Sequence, residues 1–119
     1  MAASFFTTGQ IVVVNAGVPV QFPVPLTVSG PMGPQGLSTV HAILIEVLET
    51  NLGKVYIGLA GMNKISRVGV LLTLPIPTAN LIPTFSISLT AAANALSLSD
   101  LWLDADNSGE GVTVGGVVA

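Results

Sequence analysis

Ile43-Leu44-Ile45-Glu46-Val47-Leu48-Glu49-Thr50-Asn51-Leu52-Gly53-Lys54-Val55-Tyr56-Ile57-Gly58 is the stretch whose reading decides the fold. Val40, Ile43, Leu44, Val47 and Leu48 fit an i, i+3, i+4 stripe, so periodicity alone admits a helix over its first arm. A strand is the better assignment. The run leads into the turn signal Asn51-Leu52-Gly53 and then into Val55-Tyr56-Ile57, which is β-branched and aromatic. The expectation is a hairpin, its three-residue link closed by Gly53 in the left-handed conformation.

Moving outward toward the N-terminus, Val18, Val20, Phe22, Val24, Leu26 and Val28 alternate with Pro19, Gln21, Pro23, Pro25, Thr27 and Ser29. Prolines donate no ladder hydrogen bond, so this segment is expected as an edge strand or an extended arm. Ile11 to Val14 reads as a short strand without alternation, turned by Asn15-Ala16-Gly17. Residues 1–10, small and polar around Phe5 and Phe6, read as an arm. Gly30-Pro31-Met32-Gly33-Pro34-Gln35-Gly36 holds two collagen-type triplets, too few for a triple helix, and reads as a turn-rich loop.

On the C-terminal side, Leu59 to Val68 is expected as an exposed loop carrying Lys64 and Arg67. Val68 to Leu74 reads as a strand with a bulge at Gly69, stopped by Pro75-Ile76-Pro77. Phe85 to Thr90 alternates as a half-buried strand, Thr90 to Leu96 as a helical turn or loop, and Leu98 to Asp104 as a strand. Asp106 to Gly109 turns the chain into a last strand over Glu110 to Val118. The sum is an all-β chain, an antiparallel β-sandwich or jelly roll of about eight short strands with an extended Pro-rich N-terminal arm. Residues 1–28 are assigned to the arm and edge strand and 29–119 to the sandwich, one structural domain overall.

Composition narrows the function. The 119 residues are 50% hydrophobic and only 8% charged, against roughly 25% charged in an average soluble protein. A surface so poor in charge points to a subunit that buries part of it against other chains. Three basic residues and a net charge of −3 argue against nucleic acid as a partner, which needs clustered Lys and Arg. Asn15, Gln21 and three prolines interrupt the longest apolar region, so no membrane-spanning helix of about 18 residues is expected. The first eight residues lack the basic and apolar regions of a signal peptide, so the chain is expected to begin there, inside a cell. With no cysteine, thiolate metal sites and disulfides are excluded.

Residues able to carry chemistry are few. His41, the only histidine, has no nucleophile motif beside it and reads as a half-exposed strand residue, so no enzyme is expected. Glu46 and Glu49, three apart, point to opposite faces of a strand and cannot act as a pair. Asp104, Asp106, Ser108 and Gly109 fall at positions one, three, five and six of a calcium loop, but Gly115 stands where the bidentate Glu belongs. An acidic β-turn is the expected reading, with Asp104, Asp106 and Ser108 as weak calcium candidates and no cofactor assigned. Trp102 lies between Asp100 and Asp104 on one strand face, opposite Leu101 and Leu103, and reads either as an outward interface anchor or as packed under a loop. The interface candidates are Phe5, Phe6, Val20, Phe22, Val24 and Trp102.

Asn51-Leu52-Gly53-Lys54-Val55-Tyr56-Ile57-Gly58 resembles a hairpin of small virion proteins of tailed bacteriophages, where it follows an aliphatic strand such as Ile43-Leu44-Ile45. Leu98 to Ala105, followed by Gly109 to Val114, is similar to the penultimate strand, turn and final strand of those proteins. The resemblance covers residues 40 to 118. It implies a head decoration or head-fibre subunit with a compact β domain, no catalytic residues, the major capsid protein as partner, and a homotrimer, since such proteins occupy three-fold positions. The virion, assembled in the host cytoplasm, is then the expected location. Two alternatives stand beside it: a small tail or baseplate subunit, and a carbohydrate-binding β-sandwich with Trp102 and Tyr56 as its platforms.

Overall fold

The computed structural model of the chain describes residues 4–22, 39–40, 42–88 and 96–118. Among them are ten strands: β1 (Ser4–Val12), β2 (Val20–Gln21), β3 (Thr39–Val40), β4 (Ala42–Val47), β5 (Val55–Gly58), β6 (Val70–Leu74), β7 (Thr84–Ser88), β8 (Leu96–Ser97), β9 (Trp102–Ala105) and β10 (Gly111–Val118). They form two four-stranded antiparallel sheets, ordered β1-β10-β4-β7 and β2-β9-β5-β6, with a small two-stranded ladder of β3 and β8. The chain is an antiparallel β-sandwich.

The pairing is nested. β1 pairs with β10, β2 with β9, β3 with β8, β4 with β7 and β5 with β6. The β1–β10 and β4–β7 rungs fall in one sheet and the β2–β9 and β5–β6 rungs in the other, with the β3–β8 rung between them in a ladder of its own. The β10–β4 and β5–β9 ladders join the rungs within each sheet. This is the winding of a jelly roll.

Alternation fixes which face each strand buries. In β4, Ile43, Ile45 and Val47 are buried while Leu44 and Glu46 are exposed. Val112 and Val114 of β10, Val55 and Ile57 of β5, and Leu103 and Ala105 of β9 meet them between the sheets. Each fully buried Ile, Val or Leu contributes about 1.5–3 kcal/mol relative to leaving it in water. The core also takes Ile11, Val13 and Phe22, so residues from both ends of the chain close it.

Two sequence expectations are corrected here. The strands of Ile43 to Gly58 exist, but β4 and β5 lie in different sheets and do not pair; the hairpin partner of β5 is β6. Residues 48–54 cross the sandwich instead of closing a turn. Gly53 is not left-handed, since the positive-φ glycines are Gly9, Gly17, Gly61, Gly69 and Gly109. It is required for space: a Cβ there would sit 2.7 Å from Asp106 Cβ and 2.8 Å from Asn107 Nδ2.

Secondly, residues 4–10, expected as an arm, ladder onto β10 as part of edge strand β1, and the strand stops at Val12. A register shift between Thr7 and Gln10, with Gly9 at φ 70°, breaks the two-residue pattern that would have marked it. Ile11 to Val14 does alternate, Ile11 and Val13 inward and Val14 outward. Val20-Gln21 is an edge strand, as the neighbouring prolines require.

The 106–110 turn falls where the sequence places it and β7 runs over Thr84–Ser88, while the loop after β5 extends to Gly69, so β6 begins at Val70 and not at the expected Val68. Gly69 takes φ 73°, and the irregularity of the β5–β6 ladder lies beside it, where Gly58 faces Val70 after Ile57 faces Leu72. Leu98–Asp100 is a 3-10 turn, so β9 begins only at Trp102. His41, the Gly-Pro triplets, Val24 and residues 90–95 lie outside the described residues.

Candidate functional site

Four connections, residues 13–19, 48–54, 75–83 and 106–110, carry the chain from one sheet to the other, and all four gather at one end of the sandwich. Backbone bonds tie them together. Val13 N donates to Glu110 O at 2.9 Å, Gly109 N to Val13 O at 2.7 Å, Leu48 N to Gly111 O at 3.1 Å and Val47 N to Pro83 O at 3.2 Å.

Side chains complete the ties, because links that leave the ladders carry unpaired N–H groups that burial would otherwise penalise. Buried Asn51 donates through Nδ2 to Gly111 O at 2.8 Å and accepts from Gly111 N at 3.2 Å. The Glu110 carboxylate accepts from Gly53 N at 3.0 Å, from Leu52 N, and from Asn107 Nδ2 at 3.2 Å. Ser108 Oγ accepts from Ala16 N at 2.9 Å. Asp104, 1% exposed, accepts from Gly17 N at 2.9 Å and from Ala105 N at 2.8 Å.

The weak calcium candidates all take part in internal hydrogen bonds. Asp104 points under the 13–19 link, Ser108 toward Ala16, and Asp106 toward Lys54 N at 3.1 Å and Tyr56 Oη at 2.7 Å. Among the described residues no three His, Cys, Asp or Glu side chains converge as metal ligands. Glu46 is exposed on the first sheet and Glu49 is exposed in the following link.

Beside this end, on the outer face of the second sheet, Tyr56 lies beneath two cations, with Lys64 Nζ 5.9 Å and Arg67 Cζ 5.7 Å from the ring centre. Lys64 also donates to Ala105 O, and Arg67 donates to Thr73 Oγ1 at 2.9 Å. Arg67 sits at φ 71°, the one non-glycine residue with positive φ among those described. It ends a tight turn in which Asn63 Oδ1 accepts from Ile65 N and Ser66 N at 2.9 and 3.0 Å. The bond to Asp106 is the main reason the Tyr56 phenol is held above its ordinary pKa, with burial adding to it. For Asp106, burial pushes upward, but the Tyr56 and Lys54 hydrogen bonds and the Lys64 and Lys54 charges outweigh it and hold the carboxyl below its usual range.

No protein-family model, curated protein or solved structure matches the chain. The surface chemistry therefore has to be read from its own residues. Apart from Leu44 on the outer face of the first sheet, the exposed large apolar side chains among the described residues fall into two groups. Val14, Val18, Leu52, Ile76 and Leu81 project from the four sheet-to-sheet links, Leu52 being 80% exposed; Leu59, Ile65, Val68 and Leu71 project from the β5–β6 hairpin, Ile65 being 87% exposed.

Of the interface candidates, Phe22 is 1% exposed and belongs to the chain's own core, because β2 turns its apolar side under the second sheet. Val20 is partly buried against that core. Trp102 is half-buried on the outer face beside Gln21 and Gly58, without the flanking carboxylates expected, since Asp100 belongs to the 3-10 turn and Asp104 is covered. The side chains of Phe5 and Phe6 lie outside the described residues. Sequence reasoning missed the link residues. Their signal was an apolar residue flanked by turn formers, as Leu52 is by Asn51 and Gly53.

Proposed function

We propose that this chain is a head decoration subunit of a tailed bacteriophage, docking as a homotrimer on the major capsid protein and reinforcing the shell. The observation that carries this reading is the pair of exposed apolar groups on a sandwich with 8% charged residues. Exposed apolar area on this scale marks contact surfaces. A decoration subunit needs two such surfaces, one for its own copies and one for the shell. The jelly-roll winding and the virion-protein resemblance of residues 40–118 support the same assignment, though the winding also serves lectins and other functions.

Reinforcement needs no catalysis. Burying apolar area across joints between shell subunits contributes about 25 cal/mol per Å² before association costs. Many copies on one particle make weak individual sites effective together. The acidic residues at the crossover end fit a structural part in this reading, because their oxygens hold links in place.

A small tail or baseplate subunit is the alternative. Immunogold labelling of purified virions from a lysate containing the chain separates the two. Label over the heads is the expected result; label confined to the tail, or virions free of the chain, overturns the decoration reading.

A further inference from the structure

The crossover end carries charges of opposite sign on its two flanks. On the flank formed by the first sheet, Glu46 points outward from β4, between buried Ile45 and Val47, and Glu49 follows in the link. Both line a groove with Gln10 and Thr113 on the outer face of that sheet. On the opposite flank, Lys54 precedes buried Val55 and shares the outward side of the second sheet with Tyr56, over which Lys64 and Arg67 are held. All three basic residues of the chain are on this flank. Of the six acidic residues, Asp104 and Glu110 are buried, Asp106 is bonded within the basic cluster, and Asp100 lies in the 3-10 turn before β9. Glu46 and Glu49 are left as the acidic flank.

Between the flanks lie the apolar link residues. Leu52 and Ile76 border a cleft of about 400 Å³ between the 48–54 and 75–83 links, and Glu49 stands on its rim. An apolar middle bounded by acid on one side and base on the other is the pattern of an interface with a polar rim. Its charge complement is carried by the same chain. A uniformly acidic or uniformly basic partner would be repelled by one flank, whereas a second copy offers base to the acid and acid to the base.

We infer that the crossover end is where copies of this chain meet, with Leu52 and its apolar neighbours in the middle and Glu46 and Glu49 of one copy against Lys54 and Arg67 of the next. The contact is head-to-tail in its charges. Such heterologous contacts close into rings when the rotation permits, which accommodates three copies. Leu59, Val68 and Leu71 of the β5–β6 hairpin are then left for the shell, while Ile65, which shares a pocket with Gly17 and Asp104, borders the contact between copies. The inference rests on the oligomer proposed above and assigns its surface.

Sedimentation velocity of the full chain at micromolar concentration and physiological salt tests it. The wild type is expected to sediment as a discrete oligomer. Leu52→Asp is expected to give monomer, with an unchanged far-UV spectrum because the side chain is exposed. Glu49→Lys and Lys54→Glu are each expected to raise the dissociation constant about tenfold or more, and the Glu49→Lys/Lys54→Glu double variant, which only exchanges the flanks, is expected to recover association. An oligomer indifferent to all these substitutions overturns the surface assignment alone and leaves the decoration reading in place. A monomeric wild type overturns the assignment and the homotrimer together. Singles that weaken association without recovery in the double variant overturn the charge pairing.

Discussion

Gly53 N donates to the Glu110 carboxylate at 3.0 Å across 57 residues of sequence, and with Leu52 N it makes that side chain the acceptor for two consecutive amides of the β4–β5 link. The bond explains why the link crosses the sandwich. Glu110 and Asn51 together fasten residues 51–53 to the start of β10, so β5 is delivered to the second sheet.

Replacing Glu110 with Ala leaves Gly53 N and Leu52 N without their acceptor. The expected loss is about 2–4 kcal/mol, and Glu110→Gln, which keeps one oxygen, loses about half of that. Denaturant titration of the three proteins measures it. Equal midpoints for wild type and Glu110→Ala would contradict the role given to this carboxylate.

Gly53→Ala places a methyl against Asp106 Cβ and Asn107 Nδ2. Destabilisation by about 1–3 kcal/mol is expected from overpacking, and Gly53→Val should do more harm. Because the penalty is one of space, shortening the obstruction with Asn107→Gly is expected to recover part of it. No coupling between the two positions in a double-mutant cycle would point back to backbone conformation.

Asp106 and Tyr56 give the stability a pH dependence at both extremes. The Asp106 carboxyl is lowered from 3.8 in the fold, so its contribution is present above that value and lost as pH falls through the folded pKa. The Tyr56 phenol is raised from 10.0, so its contribution is present below pH 10 and lost as pH rises through the folded pKa. Asp106→Asn should therefore flatten the acid limb of the dependence, below the ordinary carboxylate value of 3.8, and should also lessen the alkaline loss. Unfolding midpoints across the range, identical in shape for both proteins, would contradict this.

Deleting residues 1–28 removes β1, β2 and the core side chains Ile11, Val13 and Phe22. The remaining chain is expected to lose cooperative unfolding altogether, since β10 loses a full-length partner and the core is opened on one side. A sharp thermal transition in the truncated protein would show that the N-terminal segment is dispensable after all.

Local chemistry was legible in the sequence where it depends on neighbours along the chain. The alternation of Phe85, Ser86 and Ile87, the stop at Pro75 and the Asp106 to Gly109 turn each name their own structure. Sheet membership was not. Asn51-Leu52-Gly53 looks like a hairpin link because the residues that hold it open, Glu110 and Gly111, lie about sixty positions away. Phe22 was equally opaque as an interface candidate. An alternating strand shows that one side is apolar without saying whether the apolar side faces its own core or another molecule. The acidic turn itself was legible, but the partners of its oxygens were not: the backbone amides of Gly17, Ala16 and Lys54, which donate to Asp104, Ser108 and Asp106, come from other links.

The measurement that bears most directly on the proposed role is co-sedimentation of the purified chain with the phage head shells that the proposal assigns as its partner, prepared without the chain. Saturable binding at a fixed copy number per shell, accompanied by greater resistance of the shells to heat, is the predicted result. A chain that stays in the supernatant at micromolar concentration, or binds without altering the stability of the shells, would contradict it.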